Sequence, residues 1–207
     1  MSGLSGPWRA AFEEAWASWC SGNFGIGAVL VEPDTGEIVT RGHNRVSGRP
    51  TEPGQLAGNF MAHAEMNALA ALRRFHAEGL HLYTTLEPCV MCAGTSLMMR
   101  VDHVHYAATD DLMSDFHAHL GEYDFTRERL PERTGPLDDD WGRFARALPL
   151  TFSVVYMPDG VAGESARATI PEVWSLAERL IADGRLAGVK DDGGDVMDAF
   201  AVVQALS

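Results

Sequence analysis

Three cysteines in 207 residues are too few for a disulfide framework. Long hydrophobic runs are missing as well. Nothing approaches the roughly 18 apolar residues of a membrane span, so no membrane partner is expected. The first residues, MSGLSGPWRAAFEEAW, lack a basic segment followed by an apolar one. That is no secretory pattern, and a cytoplasmic setting is the expectation. Basic charge is scarce too: 16 Lys and Arg face 29 Asp and Glu, for a net charge of −13. A surface this acidic repels phosphate backbones, which weighs against a nucleic-acid partner. A local basic patch around Arg41, Arg45 and Arg49 stays open. Internal repeats and low-complexity segments are absent.

What remains is ordinary globular material, 46% hydrophobic and 22% charged. Residues 8–20 place Trp8, Ala11, Phe12, Ala15, Trp16 and Trp19 on one helical face, the pattern of a helix docked on a sheet. Strand-like runs at 26–31 and 37–41 flank Pro33-Asp34-Thr35-Gly36 and read as a hairpin. Residues 45–60, rich in Gly and Pro, read as a loop at the rim of a pocket. Helices are expected over 63–78 and 89–99, the second opened by Pro88. Strands are expected over 81–86 and 101–108, and a short helix over 110–120. Charge and proline mark 121–149 as a surface excursion, with Asp138-Asp139-Asp140 a solvated turn. The apolar run 150–157, LTFSVVYM, reads as a fifth strand. Thr169-Ile170-Pro171-Glu172 reads as a capping box opening a helix to Asp183. A last amphipathic helix covers 196–206.

This order predicts an α/β fold: a three-layer α/β/α sandwich with a five-stranded mixed sheet, helices on both faces and extra C-terminal helices. Residues 1–160 form the expected main domain. Residues 161–207 form a helical elaboration packed on it.

The chemistry is concentrated between Phe60 and Arg100. His63 and the Cys89-x-x-Cys92 pair are three ligands for zinc, and a catalytic zinc leaves its fourth position to water. His63 and Cys89 each begin a predicted helix, where the positive end of the dipole favours thiolates. Cys89 and Cys92 are neighbours on one helical face. Zinc brings the pKa of a bound water toward about 7. Glu65, two residues after His63, is placed to take that proton and deliver it to a leaving group. A structural zinc or a redox dithiol is the competing reading. A structural site wants four protein ligands, and the obvious count stops at three. Asn44 follows the second strand, where it either reaches into a cleft or shapes a turn. His43, His76, His81, His103, His105, His117 and His119 read as surface or packing residues, with His117 and His119 within reach of a pocket rim. Cys20 reads as a buried thiol.

H-x-E…P-C-x-x-C is the signature of zinc deaminases. Beside it stand Gly27-Ala28-Val29, Gly42-His43-Asn44, His63-Ala64-Glu65 and the run from Thr85 through Glu87-Pro88-Cys89-Val90-Met91-Cys92-Ala93-Gly94. On these residues the chain resembles the cytidine-deaminase-like superfamily. Within it, the branch of guanine deaminases, cytosine deaminases and tRNA adenosine deaminases is the most similar. The resemblance spans residues 8–120 or so. It implies Zn2+ on His63, Cys89 and Cys92, and proton shuttling by Glu65. It also implies that Asn44 hydrogen-bonds the base or ribose and that the Ala64 backbone N–H meets a ring carbonyl or nitrogen. Phe24 and Asp110 fall near the family's pocket positions, and a homodimer is implied. The loop before His63 is longer than the branch's usual lead-in, and nothing beyond residue 120 is matched.

Three functions compete. The favoured one is hydrolytic deamination of a small-molecule purine or pyrimidine base or nucleoside. The Glu-Pro-Cys-x-Met-Cys-Ala-Gly run leans it toward a guanine- or guanosine-like substrate. A tRNA adenosine deaminase is the alternative and would need a basic surface. An inactive zinc-binding interaction domain is the third, and the intact His-x-Glu argues against it.

Overall fold

Helix α1 (Gly6–Cys20) carries Pro7 in its first turn, where a missing N–H costs nothing. It buries Ala11, Phe12, Ala15 and Trp16. It lies across β1 (Gly27–Val31), whose five residues are all buried because the strand is covered on both faces. Gly27 makes the approach possible. A Cβ there would collide with the α1 backbone at Ala11, Glu14 and Ala15. A turn with Gly36 at φ 73° leads into β2 (Ile38–His43). The computed structural model describes residues 4–110 and 116–206.

The next elements are α2 (Ala64–Ala70), β3 (His81–Thr84), α3 (Val90–Met98) and β4 (His103–Tyr106). Beyond them lie α4 (Phe116–His119), α5 (Asp124–Arg127), β5 (Glu132–Thr134) and α6 (Asp140–Tyr156). The chain ends with α7 (Val161–Thr169), α8 (Pro171–Asp183), α9 (Arg185–Asp191) and α10 (Val196–Leu206). The sheet runs β2-β1-β3-β4-β5. β1 is antiparallel to β2 and β3, while β3, β4 and β5 are parallel to one another. The expected mixed sheet of five strands is therefore present, with helices and extra C-terminal helices around it.

On one face Leu30, Leu82 and Val104 pack under Ala64, Ala68 and Leu69. On the other, Val29 and Val31 pack against Ala10 and Ala11 of α1. The largest cluster joins Phe12 and Trp16 to Trp141, Phe144, Leu148, Trp174 and Phe200. The C-terminal helices thus share a core with α1.

Several expectations need correction. The fifth strand is β5, inside the segment expected to be a surface excursion. Residues 150–156 belong instead to α6, and Met157 is its C-cap. Trp141, Phe144, Ala145 and Leu148 recur at helical spacing and are all buried. Val154 and Val155 gave the end of this helix its strand-like look. Asp139 is not a bystander in a turn. Its side chain accepts from the N–H groups of Trp141 (2.9 Å) and Gly142 (3.2 Å) and caps α6. α2 stops at Ala70 rather than 78. The chain drops toward β3, with the Ala77 N–H bonded to the Met99 carbonyl at 2.6 Å and Phe75 left 87% exposed. The capping box at 169 does not form. Thr169 ends α7 by donating to the Ser165 carbonyl, and Ile170 precedes α8 without a side-chain cap. Of the helix expected over 110–120, residues 111–115 lie outside those described. No helix among the described residues is long and apolar enough to cross a membrane.

Candidate active site

Two helix N-termini meet at the ends of the central strands. His63 is the N-cap residue of α2, and Cys89 is the N-cap residue of α3. Pro88 stands one position before that cap, not inside the helix. Gly42 of β2 lets α2 lie against the sheet. A Cβ at this position would meet the backbone of Ala64 and Ala68. Thr40 fixes the same contact by donating to the Ala68 carbonyl at 2.8 Å.

This packing brings His63 Nδ1 to 3.6 Å from Cys89 Sγ and 3.5 Å from Cys92 Sγ, with the two sulfurs 3.7 Å apart. A tetrahedral zinc with Zn–S of about 2.3 Å and Zn–N of about 2.0–2.1 Å needs edges of about 3.6 Å (S to N) and about 3.8 Å (S to S). The three atoms therefore already span one face of such a tetrahedron. They fit a zinc ion with an open fourth position.

Without a metal the cluster polarises itself. The hydrogen bond shared with Cys92, then that from His63, brings the Cys89 thiol down to about 4 against its burial. Cys92 is pushed up by the same shared bond and by burial. Glu65 is 3% exposed, and burial raises its pKa. Its Oε1 accepts from Thr84 Oγ1 at 3.2 Å, and its Oε2 lies 3.4 Å from Cys92 Sγ. Burial and these contacts hold the Glu65 carboxyl, its pKa raised, beside the three metal donors.

A cavity of about 490 Å3 opens onto His63, Glu65 and Cys89. Phe24, Asn44 and Asp110 line it. Ala64 is fully buried between His63 and Glu65 and is not among the lining residues. Asn44 is 2% exposed, and its Oδ1 accepts from the Val46 N–H at 3.2 Å, so it shapes a turn as well as facing the cavity. Phe24 packs on Phe152 with ring centroids 4.2 Å apart. The Asp110 N–H donates to Glu87 Oε2 at 3.1 Å.

Sequence reasoning missed much of this wall. Leu150 and Ser153 of α6, Met157 just after it, and Val161 and Ala166 of α7 close one side of the cavity. The helical spacing of Trp141, Phe144 and Leu148 was the available signal, and Pro149 in mid-helix masked it. Two supports were also missed. Asn67 of α2 accepts from the Leu56 N–H (2.9 Å) and donates to the His43 and Leu56 carbonyls (3.1 Å each), tying down the loop before His63. Glu87 is buried and is held by Arg133 of β5. His117 lies 3.7 Å from Glu87 and 2.9 Å from the Pro88 carbonyl, directly behind Cys89. His119 pairs with Glu122 at the surface. Arg41 pairs with Glu13 and Glu14, so part of the suspected basic patch is neutralised.

The family model described as the cytidine and deoxycytidylate deaminase zinc-binding region matches residues 5–108. The chain is 42% identical over 106 residues to the tRNA-specific adenosine deaminase of Bacillus subtilis (strain 168), a match covering 49% of this chain. It spans only 60% of that relative's length. A structure from a study of A-to-I editing by tRNA:A34 deaminases is 27% identical with a TM-score of 0.54. That match covers 66% of this chain and 95% of the other. The structure of NE0047 in complex with 2,6-diaminopurine is 26% identical with a TM-score of 0.50, covering 73% of this chain and 80% of the other. Relatives named for tRNA give no support to the expectation that a nucleic-acid partner is unlikely.

Proposed function

The chain belongs to the family of the cytidine and deoxycytidylate deaminase zinc-binding region, and from that premise we propose that it hydrolyses the exocyclic amine of a purine base or nucleoside and releases ammonia. The observation that carries this reading is the cavity. Its volume of about 490 Å3 suits a small molecule, and its walls converge on His63, Glu65 and Cys89. The apolar sides from α6 and α7 suit a flat heterocycle. A net charge of −13 favours a free substrate over a polyanion. The purine is supported by the solved relative that holds 2,6-diaminopurine. The lean toward a guanine-like ring rests on the run around Cys89 and Cys92.

His63, Cys89 and Cys92 hold zinc in this proposal. Zinc, when bound, lowers the pKa of a coordinated water toward about 7. Glu65 takes the proton released during attack on the amine-bearing carbon and returns it to the exocyclic nitrogen. The C–N bond then breaks, ammonia leaves, the second water proton passes to the adjacent ring nitrogen, and the ring carbon keeps the oxygen as a carbonyl. Thr84 orients the Glu65 carboxylate. Asn44 recognises a polar ring edge, Phe24 stacks on the ring, and Asp110 closes the rim. A homodimer is part of the proposal, supported by Val90 and Met98 standing exposed on α3.

Adenosine within tRNA is the second reading, favoured by the relatives' names. Ammonia release decides between them. Guanine, guanosine, adenosine, cytosine and their deoxy forms are compared with a tRNA carrying adenosine at the wobble position. Turnover of a free purine is expected. Reaction of the tRNA alone would overturn the first reading in favour of the second.

A further inference from the structure

Strand alternation sends neighbouring side chains to opposite faces of a sheet. In β3 this puts Leu82 and Thr84, the partner of Glu65, on one face and His81 and Tyr83 on the other. The parallel register sets His81 beside His103 and Tyr83 beside His105. Three imidazoles therefore gather on the face of the sheet away from the zinc cluster. None takes part in the chemistry proposed above.

Their geometry is close to that of a ligand set. His105 Nε2 lies 3.2 Å from His81 Nδ1. Two imidazole nitrogens on a tetrahedral ion with M–N of about 2.0–2.1 Å would be about 3.3 Å apart. The His103 ring stacks on His105 with centroids 4.0 Å apart, and all three donor atoms lie within 4.8 Å of one another. A rotation of His103 that moves its nitrogen by about 2 Å completes the triangle.

We propose that His81, His103 and His105 form a second metal site, distinct from the Cys/His cluster, that takes a borderline divalent transition ion such as zinc, copper or nickel. An all-imidazole set selects these ions over calcium and magnesium, which prefer oxygen donors. The rings are half-buried, so solvent ions reach them. Two further contacts fit the assignment. His103 Nδ1 lies 3.5 Å from Glu132 Oε2, and its Nε2 lies 2.7 Å from Thr134 Oγ1. One nitrogen takes the ion while the partner of the other orients the ring, the arrangement common around histidine ligands. His105 is held down to about 4, by burial first and by His103 and His81 next.

Cobalt(II) titration of the chelator-stripped chain separates the two sites. Wild type is expected to bind two equivalents. One carries the near-ultraviolet thiolate-to-cobalt absorption of Cys89 and Cys92, and the other shows visible d–d bands alone. The double variant His81→Gln/His105→Gln keeps only the thiolate band. The variant Cys89→Ser/Cys92→Ser keeps one equivalent without that band. Saturation of wild type at one equivalent overturns the proposal. So does wild-type uptake by the histidine variant, or no uptake by the cysteine variant, which decides the matter even where the histidine variant fails to fold.

Discussion

Gly42→Ala is expected to cut activity without touching a reacting group. The added Cβ would sit 2.9 Å from Ala68 Cα, closer still to Ala68 N and the Ala64 carbonyl, where ordinary contact begins at 3.4 Å. The obstruction is backbone, so no side chain can swing aside. α2 must back away by at least 0.5 Å, the difference between these two distances. That helix carries His63 at its N-cap and Glu65 in its first turn. A misplacement of about 1 Å in a reacting geometry costs about 100-fold in rate, so a loss of roughly 10- to 100-fold in kcat/KM is expected. Gly27→Ala is the control. It strikes the backbone of α1, which carries no zinc ligand. It should destabilise by about 1–3 kcal/mol while leaving more of the activity intact. Ammonia release on the best substrate, with urea midpoints for both variants, makes the comparison. Wild-type kcat/KM in a folded Gly42→Ala protein would refute the reasoning.

Asn67→Ala removes two hydrogen bonds to Leu56 in the loop before His63 and one to the His43 carbonyl of β2. A loss of about 1–3 kcal/mol is expected, with faster amide exchange over residues 45–60 than over the sheet. Phe200→Ala removes a ring stacked on Trp141 at 3.7 Å. It should cost about 3–5 kcal/mol in urea denaturation. His105 sits near 4 when folded, against an ordinary 6.5, because burial and then its two neighbouring imidazoles disfavour the charged form. Between these values the unfolded chain binds more protons, so stability is lost as pH falls from about 6.5 toward 4. In the metal-free protein, His105→Gln should flatten that acid limb of the urea midpoint.

The zinc donors were legible because their spacing is local. Cys89 and Cys92 are three residues apart, and His63 and Glu65 are two apart, so each half reads locally, while joining the halves across 26 residues rested on the resemblance to zinc deaminases. The hairpin and the parallel crossovers were legible for the same reason. Residues 150–157 were not. A short run of valine and aromatics suits a buried strand and a buried helix alike, and what decides is the register set upstream at Trp141 and Phe144. β5 escaped notice because Glu132-Arg133-Thr134 is an edge strand with all three residues exposed and carries no apolar alternation. Asn67 and Glu87 were invisible as supports, since their partners lie 11 to 46 residues away. The cavity is the least local feature, assembled from the segment before β1, the loop before His63, α2, α3, α6 and α7.

The central claim is that zinc on His63, Cys89 and Cys92 works together with the Glu65 carboxylate. Glu65→Gln tests it most directly, because the amide keeps the shape and loses the proton exchange. Zinc content and ammonia release are measured on the same sample. The expected result is wild-type zinc content with activity reduced by about 100- to 10,000-fold. Wild-type activity in the zinc-loaded variant would contradict the claim.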